Sequence, residues 1–292
     1  MLLSDILKLK SDCDVISIRN EKEFERFSRT TSVVNVSCCV YIASERYIYT
    51  IPECARMVIT TEEIANKIEN EKYGLCISKN PKATYFRLFV SASEIIKSKY
   101  IETTIGKNCV IGKYANINPK NVVIGNNVVI EDFATIYENV TIKDNCVIRA
   151  GARVGVQDYN YFEDQAGLIH LPHYGDLIIE EDVEIGFNSV VGRSLYPGDH
   201  TIIGKGSKLA NQCGIGHDCV FGKRVMIYAN AMVAGYCTVG DNTHIAMNAC
   251  VKNGIKIGKN VTVDMASVVI RDVPDGQTMF GNPARRIITP GM

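Results

Sequence analysis

The chain of 292 residues is long enough for one large domain or two modest ones, each with a buried core. Lysine plus arginine and aspartate plus glutamate are equal at 32 each, so no overall basic charge indicates nucleic acid or an anionic membrane surface as a partner. No stretch approaches the roughly 18 consecutive apolar residues of a membrane helix, and the first residues lack a signal-peptide pattern. We therefore expect a cytoplasmic protein without membrane insertion.

Residues 1–98 contain no internal repeat and predict a small α/β domain. Four short apolar runs predict strands at residues 33–36, 39–42, 57–60 and 75–78. Two further runs predict helices at residues 62–68 and 83–89, the second of which follows Asn80-Pro81.

A six-residue repeat dominates the rest of the chain. Every sixth residue from Ile203 is apolar: Ile203, Leu209, Ile215, Phe221, Ile227, Val233, Val239, Ile245, Val251, Ile257, Val263 and Val269. Four residues after each of these stands a second, mostly small residue, as at Cys213, Ala231 and Ala249. This hexapeptide period predicts a mainly β chain, with a parallel β-helix over residues 99–273 and a tail at residues 274–292.

The repeat begins at Ile105, slips by one residue at Pro119-Lys120, and is interrupted twice. The first inserted loop, residues 156–176, is rich in aromatic residues and contains His170 and His173, and the second covers residues 193–200. Loops that leave a regular solenoid often carry function.

The eleven cysteines do not indicate disulfides or a metal site. Five of them occupy the small inward position of the repeat, where cysteine acts as a small apolar residue: Cys109, Cys146, Cys213, Cys219 and Cys237. There is no Cys-x-x-Cys pair, so we expect no metal.

His217 is the strongest candidate for chemistry. It stands two residues after the inward Ile215 and two before the inward Cys219, which predicts a corner position pointing out of the coil. On this reasoning its removal should change stability by no more than about 0.5 kcal/mol. An exposed histidine without a catalytic role is the alternative that the spacing alone leaves open.

The residues before and around His217 resemble, in order, motifs of the UDP-3-O-acylglucosamine N-acyltransferases of lipid A synthesis, a family with a left-handed β-helix. The matching segments are Gly151–Gly155, Leu171–Pro172, Asp182–Gly186, Arg193, Asp199–Gly204 and Asn211–His217. The resemblance implies a homotrimer with active sites between subunits. It also implies that His217 is the general base and that Asp199 and Asn211 lie near the substrate.

Two groups could assist this base. Asp218, the next residue, could influence its charge or tautomer, and Asp199 in the second loop is the alternative. The oxygen of the thioester carbonyl needs a hydrogen-bond donor as it becomes negative, and we expect the backbone N–H near Gly235, on the next coil, to supply it.

The segment from Tyr41 to Tyr47 resembles the family's uracil-binding segment, aromatic-x-x-Asn-x-Lys-Tyr. The resemblance implies that the rings of Tyr41 and Tyr47 enclose the base of a nucleotide sugar. Ser44 replaces the base-reading asparagine, so thymine and uracil are equally plausible bases.

Two differences from the motifs of this family concern the acyl donor. Asn253-Gly254 stands where the family has a Gly-His pair, and the end of the chain, Gly281–Arg286, resembles that of coenzyme-A-dependent sugar acetyltransferases instead of the family's helical extension. This second resemblance implies acyl-CoA as donor, with Gly254, Arg285 and Arg286 at its site. Acyl carrier protein is the alternative donor, and a solvated basic end is the alternative for Arg285.

These features together predict a sugar N-acyltransferase. We expect it to transfer an acetyl or short 3-hydroxyacyl group from an acyl thioester to a dTDP- or UDP-linked amino-dideoxy sugar of a surface polysaccharide. The first alternative is the lipid A enzyme, which uses acyl carrier protein. The second is a hexapeptide protein that binds or scaffolds without catalysis.

Overall fold

The computed structural model describes residues 1–9, 13–30, 35–68, 71–92, 101–165 and 167–286. The chain divides into two compact units. The first unit consists of Met1–Ser98 together with Tyr159–Pro172, and the second of Lys99–Asp158 together with His173–Met292.

The first unit is an α/β unit around a five-stranded sheet. Its strands, in spatial order, are Val15–Arg19, Gly74–Ser78, Ala55–Thr60, Cys38–Ile42 and Arg26–Phe27. The first pair is antiparallel and the others are parallel. Its helices are Leu3–Leu9, Glu62–Ala65 and Pro81–Ser91, with a 3₁₀ helix at Glu45–Thr50.

Three of the four predicted strands in this unit are confirmed, as are both predicted helices. The second helix begins at Pro81, because Asn80 Oδ1 accepts the Ala83 N–H at 3.2 Å and caps the helix. The strand predicted at residues 33–36 is wrong where it can be checked. Asn35 and Val36 form a bend, and Val33 and Val34 lie outside the described residues.

The first predicted loop contains a β-hairpin. Its strands are Tyr161–Asp164 and Gly167–His170, which pair antiparallel. Within the first unit, Asp164 accepts an ion-paired hydrogen bond from Arg87 at 2.6 Å, and the Phe162 ring lies 5.2 Å from the Phe86 ring. The sequence predicted this segment only as a loop, because the six-residue period is absent from it.

The second unit is a parallel β-helix with three sheets, one for each side of a triangular coil. The strands of side one are Thr104–Ile105, Val122–Ile124, Val140–Ile142, Asp176–Ile179, His200–Ile203, Val220–Phe221, Thr238–Val239 and Lys256–Ile257. Those of side two are Val110–Ile111, Val129–Ile130, Val147–Ile148, Glu184–Ile185, Lys208–Leu209, Met226–Ile227, His244–Ile245, Thr262–Val263, Thr278–Phe280 and Arg285–Arg286. Those of side three are Asn116–Ile117, Thr135–Ile136, Arg153–Val156, Val190–Gly192, Gly214–Ile215, Met232–Val233, Cys250–Val251 and Val268–Val269.

The hexapeptide period places one apolar residue on each side of the coil. Strands that pair between uninterrupted coils are 18 residues apart, as Lys208 and Met226 are. All of the predicted inward residues from Ile203 to Val269 are buried, and the small residues four positions later are buried with them. The interior is therefore a continuous apolar column that removes these side chains from water.

The corners of the coil use left-handed backbone conformations. Asn108, Asn127 and Asn145 have φ near +58° at one corner of successive coils. Their side-chain amides donate to one another along the column, at 3.3 Å from Asn108 to Asn127 and 3.1 Å from Asn127 to Asn145. Asparagine tolerates this conformation better than most residues, and stacking also satisfies its amide.

The second predicted loop is mostly buried. Arg193, Ser194, Leu195 and Tyr196 are each at most 2% exposed, and His200 already belongs to a strand. Among the helices that the structure describes, none has the length and apolar character that a membrane-spanning segment requires.

Candidate active site

His217 lies at the corner that follows the strand Gly214–Ile215. Its backbone N–H donates to Asp158 Oδ2 at 3.1 Å, and its carbonyl accepts the Tyr236 N–H of the next coil at 2.8 Å. The inserted loop and the next coil therefore fix the backbone of this histidine from two sides.

His217 and Asp218 form a hydrogen-bonded pair. His217 Nδ1 lies 2.8 Å from Asp218 Oδ2, and each side chain is only 9% exposed. Adjacent side chains on a strand point to opposite faces, but Asp218 has φ +57°, which breaks that alternation at the corner. A carboxylate at Nδ1 favours the tautomer that carries its proton on that nitrogen, so Nε2 is the nitrogen that can act as a base.

The sequence analysis placed His217 at a corner pointing out of the coil, but there the side chain is covered by other groups. The residue is 7% exposed, although it is not part of the apolar column inside the coil. Two rings pack nearly perpendicular to its imidazole: His173 at 5.1 Å and 74°, and Tyr236 at 4.6 Å and 87°. The period could not reveal this burial, because His173 comes from the segment that interrupts the repeat.

Gly235 lies against the His217 ring, at the same corner of the next coil. A Cβ atom at residue 235 would stand 2.8 Å from His217 Nε2, so only glycine fits beside this nitrogen. Gly235 is buried, and none of the described residues accepts a hydrogen bond from its backbone N–H. A donor thus lies next to the nitrogen that can act as a base.

A cluster of charged and polar groups surrounds the His173 ring. The Arg193 guanidinium donates through Nε to the His173 carbonyl at 3.0 Å and through Nη2 to Glu138 Oε1 at 2.9 Å. His173 is fully buried, and burial lowers the pKa of its imidazole from 6.5 to about 4. The ring is therefore neutral at neutral pH.

The other predicted residues of the β-helix occupy different places. Asn211 is exposed at the preceding corner, where its Oδ1 accepts the Phe187 N–H at 3.2 Å. Gly254 lies two coils beyond Asp218 at the same corner, and its N–H donates to the Gly235 carbonyl at 2.9 Å. Asp199 is half-buried, with its N–H donating to the Tyr196 carbonyl at 3.0 Å.

Arg285 lines a pocket of about 220 Å³ at the last coils of the β-helix. Arg271 and Arg286 line the same pocket, and all three arginines are exposed. Arg271 stands two residues after Val269, as His217 does after Ile215, so it belongs to the same corner three coils further on. The sequence analysis identified Arg285 and Arg286 but missed Arg271.

Tyr41 and Tyr47 line one pocket of about 330 Å³ in the first unit. Burial raises the pKa of the Tyr41 hydroxyl, and its ring packs 4.9 Å from Tyr85. Arg29 and Lys82 also line this pocket, and both were missed by the sequence analysis. Ser44 caps the 3₁₀ helix that carries Tyr47 and is not among the lining residues.

The structure contains no group of three or more histidine, cysteine, aspartate or glutamate side chains that could hold a metal ion, within the part of the chain that it describes. The cysteines there are free thiols. Cys213, Cys219 and Cys237 are buried in the apolar column, as predicted.

Comparison with known proteins agrees with the repeat and the fold. Residues 121–155 and 218–253 match the bacterial transferase hexapeptide family (six repeats), and residues 102–132 and 236–271 match the hexapeptide repeat of succinyl-transferase. A UDP-N-acetylglucosamine acyltransferase from Campylobacter jejuni has a similar structure, with a TM-score of 0.56 and 24% identity over 63% of this chain and 69% of that one. The second unit is a left-handed β-helix of hexapeptide repeats.

Two sequence relatives carry the same name. The UDP-3-O-acylglucosamine N-acyltransferase of Methylorubrum populi is 32% identical over 49% of this chain and 40% of its own length. That of Porphyromonas gingivalis strain ATCC 33277 is 38% identical over 31% of this chain and 25% of its own length. The chain thus spans less than half of the length of either relative. The resemblance to hexapeptide-repeat acyltransferases is confirmed.

The same names bear on the predicted acceptor. They agree with an amino group on a UDP-linked sugar, but they name a glucosamine derivative, which was the alternative, and not an amino-dideoxy sugar. The preference for a dideoxy sugar came from Ser44 and from the end of the chain, and neither feature identifies a sugar.

Proposed function

We propose that this chain is an N-acyltransferase that moves an acyl group from an acyl thioester to the amino group of a UDP-linked amino sugar. The observation that carries the proposal is the buried His217–Asp218 pair beside the N–H of Gly235, which has no acceptor among the described residues. The names of the relatives favour a UDP-glucosamine derivative as acceptor.

In the proposed reaction, His217 Nε2 removes a proton from the sugar amine as its nitrogen attacks the thioester carbonyl. A C–N bond forms and the C–S bond breaks, and the proton passes from His217 to the departing thiolate. General-base catalysis of this kind typically contributes about 10²–10⁴-fold. Asp218 orients the imidazole and balances the charge that it gains.

The Gly235 N–H is the proposed donor to the thioester oxygen as it becomes negative. It lies beside the base, on a coil that is held by hydrogen bonds to both neighbours. A fixed donor in a buried site stabilises the developing charge without reorganisation of solvent.

The pocket between Tyr41 and Tyr47 is the proposed nucleotide site. Two aromatic rings offer faces for a base, and stacking of this kind contributes about 1–3 kcal/mol per base. Arg29 and Lys82 supply positive charge to the same pocket, which suits a diphosphate.

The arginine pocket at the end of the β-helix is the proposed site for the phosphates of acyl-CoA. The corner that carries His217, Gly235 and Gly254 leads to Arg271, and three coil steps span about 14 Å at the usual strand spacing. Arg285 and Arg286 add positive charge at that end. Acyl carrier protein remains the alternative donor, because exposed arginines also suit an acidic protein surface.

We further propose a homotrimer in which subunits meet beside the His217 corner. Outward residues of side three near this corner are apolar, with Met232 51% exposed and Cys250 exposed on successive coils. Apolar surface of this kind favours contact with a second copy of the chain. We also propose that the enzyme acts in the cytoplasm.

The test is to incubate the purified chain with UDP-glucosamine derivatives, dTDP- and UDP-amino-dideoxy sugars, acyl-CoA and acyl carrier protein thioesters, and to identify the products by mass spectrometry. Acylated UDP-glucosamine that requires His217 is the expected result. Acylation confined to a dideoxy sugar would favour the other acceptor. Absence of any acylated product, together with binding of a nucleotide sugar, would instead support the scaffold.

A further inference from the structure

The ring of His173 is a buried polar group that the described part of the chain leaves unsatisfied. The residue is 0% exposed, and neither Nδ1 nor Nε2 has a hydrogen-bond partner among the described residues. A buried polar group without a partner costs about as much as a lost hydrogen bond, so such groups in native proteins call for an explanation. A phenylalanine would fill the same space without this cost.

The backbone of His173 is nevertheless held firmly in this place. Arg193 is 2% exposed, and it ties the His173 carbonyl to the carbonyl and carboxylate of Glu138. The fold therefore uses a buried arginine to keep an unsatisfied imidazole against another imidazole. A buried charge and two unbonded ring nitrogens both cost stability, so this arrangement favours a functional role for the His173 ring over packing alone.

The only ring that packs against His173, among the described residues, is that of His217. Asp158, Asp218 and Arg193 are the charged groups that act on His173 besides His217 itself. His217 already has Asp218 at Nδ1, whereas His173 has no carboxylate bonded to it. Of the two imidazoles, His217 is thus the one that is equipped to carry a proton, and His173 stays uncharged.

We propose that His173 is a positioning residue for the acyl transfer: it holds the His217 ring against Tyr236 and stabilises, through an unpaired ring nitrogen, the positive charge that His217 gains from the amine proton. The inference rests on the proposed role of His217 as base. An uncharged imidazole beside an imidazolium is a polar neighbour that stabilises the cation, whereas a second protonated ring would repel it. The proton returns to the thiolate, so His173 itself gains and loses none.

The decisive variant is His173→Phe, which keeps a ring against His217 and removes both nitrogens. We expect kcat to fall about tenfold or more, with the acidic limb of the pH–rate profile moved to lower pH. The melting temperature should stay the same or rise, because two unpaired polar atoms leave a buried site. His173→Gln, which restores polar atoms without a charge, should recover part of the rate.

A matched control is His170→Phe, since His170 lies three residues earlier in the chain and is exposed. It should leave kcat and the pH profile unchanged. Wild-type kcat and an unmoved acidic limb in His173→Phe would overturn the inference. So would a rate that falls only with the melting temperature and is not recovered by His173→Gln.

His217→Gln, measured in parallel, separates the two proposals. If this variant retains wild-type turnover, His217 is not the general base, and the proposed mechanism fails together with the role of His173. If it loses activity while His173→Phe does not, only the role of His173 fails.

Discussion

His217 and Asp218 depend on each other because both are buried. Asp218 Oδ2 accepts hydrogen bonds from the Leu195 N–H at 3.1 Å and meets His217 Nδ1 at 2.8 Å. Removing either partner leaves the other without its best interaction, and a buried charge without a partner is costly. Changes at this pair should therefore affect both catalysis and stability.

His217→Ala is expected to lower acyl transfer by about a hundredfold or more, the range for loss of a general base. It should also destabilise the fold by about 1–3 kcal/mol, because it opens a cavity between His173 and Tyr236 and removes the partner of Asp218. Steady-state kinetics and urea unfolding measure the two effects. Wild-type turnover in a folded variant would contradict the role of His217.

The buried His173 predicts how stability depends on pH. Its pKa is about 4 in the folded chain, against 6.5 in the unfolded one, so the unfolded chain binds more protons between these values. The contribution of the neutral His173 ring to the free energy of unfolding is complete above pH 6.5. It is lost as the pH falls toward 4, and the free energy of unfolding is lower by about 2 kcal/mol at pH 5. Urea unfolding at pH 7 and pH 5 measures it. The free energy of unfolding should change less between pH 7 and pH 5 in His173→Phe than in the wild type. An equal change in both proteins would contradict the assignment of this pH dependence to His173.

At the scale of one element, most corners of the coil have the same backbone conformation, and the side chain that fits at a corner depends on the residues of the coils before and after it. Gly235 is the clearest example, because its missing side chain leaves room for the His217 ring. Most other glycines of the coil lie against the backbone of a neighbouring coil, whereas Gly235 lies against a side chain, so the requirement for glycine at residue 235 comes from the His217 ring.

Gly235→Ala should lower kcat about tenfold or more, because the added Cβ stands 2.8 Å from His217 Nε2 and displaces the ring. Circular dichroism should show an intact β-helix. Gly276→Ala is the control, since a Cβ at residue 276 meets no atom within 4 Å, although its φ of +68° carries a small strain. Equal activity in both variants would mean that the contact at Gly235 does not constrain the base.

Tyr47→Ala should weaken binding of the nucleotide sugar by about 1–3 kcal/mol, with kcat less affected. Tyr47 is 42% exposed, so its removal should not disturb the core of the first unit. Tyr49→Ala is the matched control, from the same 3₁₀ helix but 85% exposed. Isothermal titration with the nucleotide sugar measures both, and equal dissociation constants would mean that the base binds elsewhere.

The inward residues of the β-helix were predictable because one period governs both the sequence and the coil. Ile215 and Cys219 are buried for the same reason as every other inward residue, so the corner position of His217 followed from counting. Its burial did not follow, because His173 and Asp158 lie where the period stops. The Asp218 contact also depends on a positive φ, which recurs every six residues along the coil, as at Gln212 and Arg224, but the period does not indicate which side chain Asp218 meets.

The first unit was less predictable, since short strands and helices there share no period. The strand Cys38–Ile42 was found from its apolar run, whereas Val15–Arg19 and Leu3–Leu9 were missed because polar residues divide their apolar ones. Tyr41 and Tyr47 came only from a family resemblance. Arg29 and Lys82 join them through folding of distant segments, which sequence spacing does not encode.

At the scale of the whole molecule, the proposed trimer makes a measurable claim. The assembly should have three times the 32.3 kDa mass of one chain in analytical ultracentrifugation. Met232→Glu should shift it toward monomer, because a carboxylate would be buried in an apolar contact. Thr238→Glu, on side one, is the control and should leave the mass unchanged. A monomeric wild-type chain at micromolar concentration would contradict the trimer.

The 18-residue coil also has a consequence for how such a protein can change during evolution. Each coil contacts mainly the coils before and after it, so gain or loss of 18 codons keeps every later residue on its own side of the triangle. A gain or loss that is not a multiple of six would turn inward residues outward for the remainder of the repeat. The separation between His217 and Arg271 can therefore change readily only in whole coils, of about 4.8 Å each. Descendants of this gene could therefore fit acyl donors whose lengths differ in steps of one coil. A donor of intermediate length would require a change in the side chains of the arginine pocket.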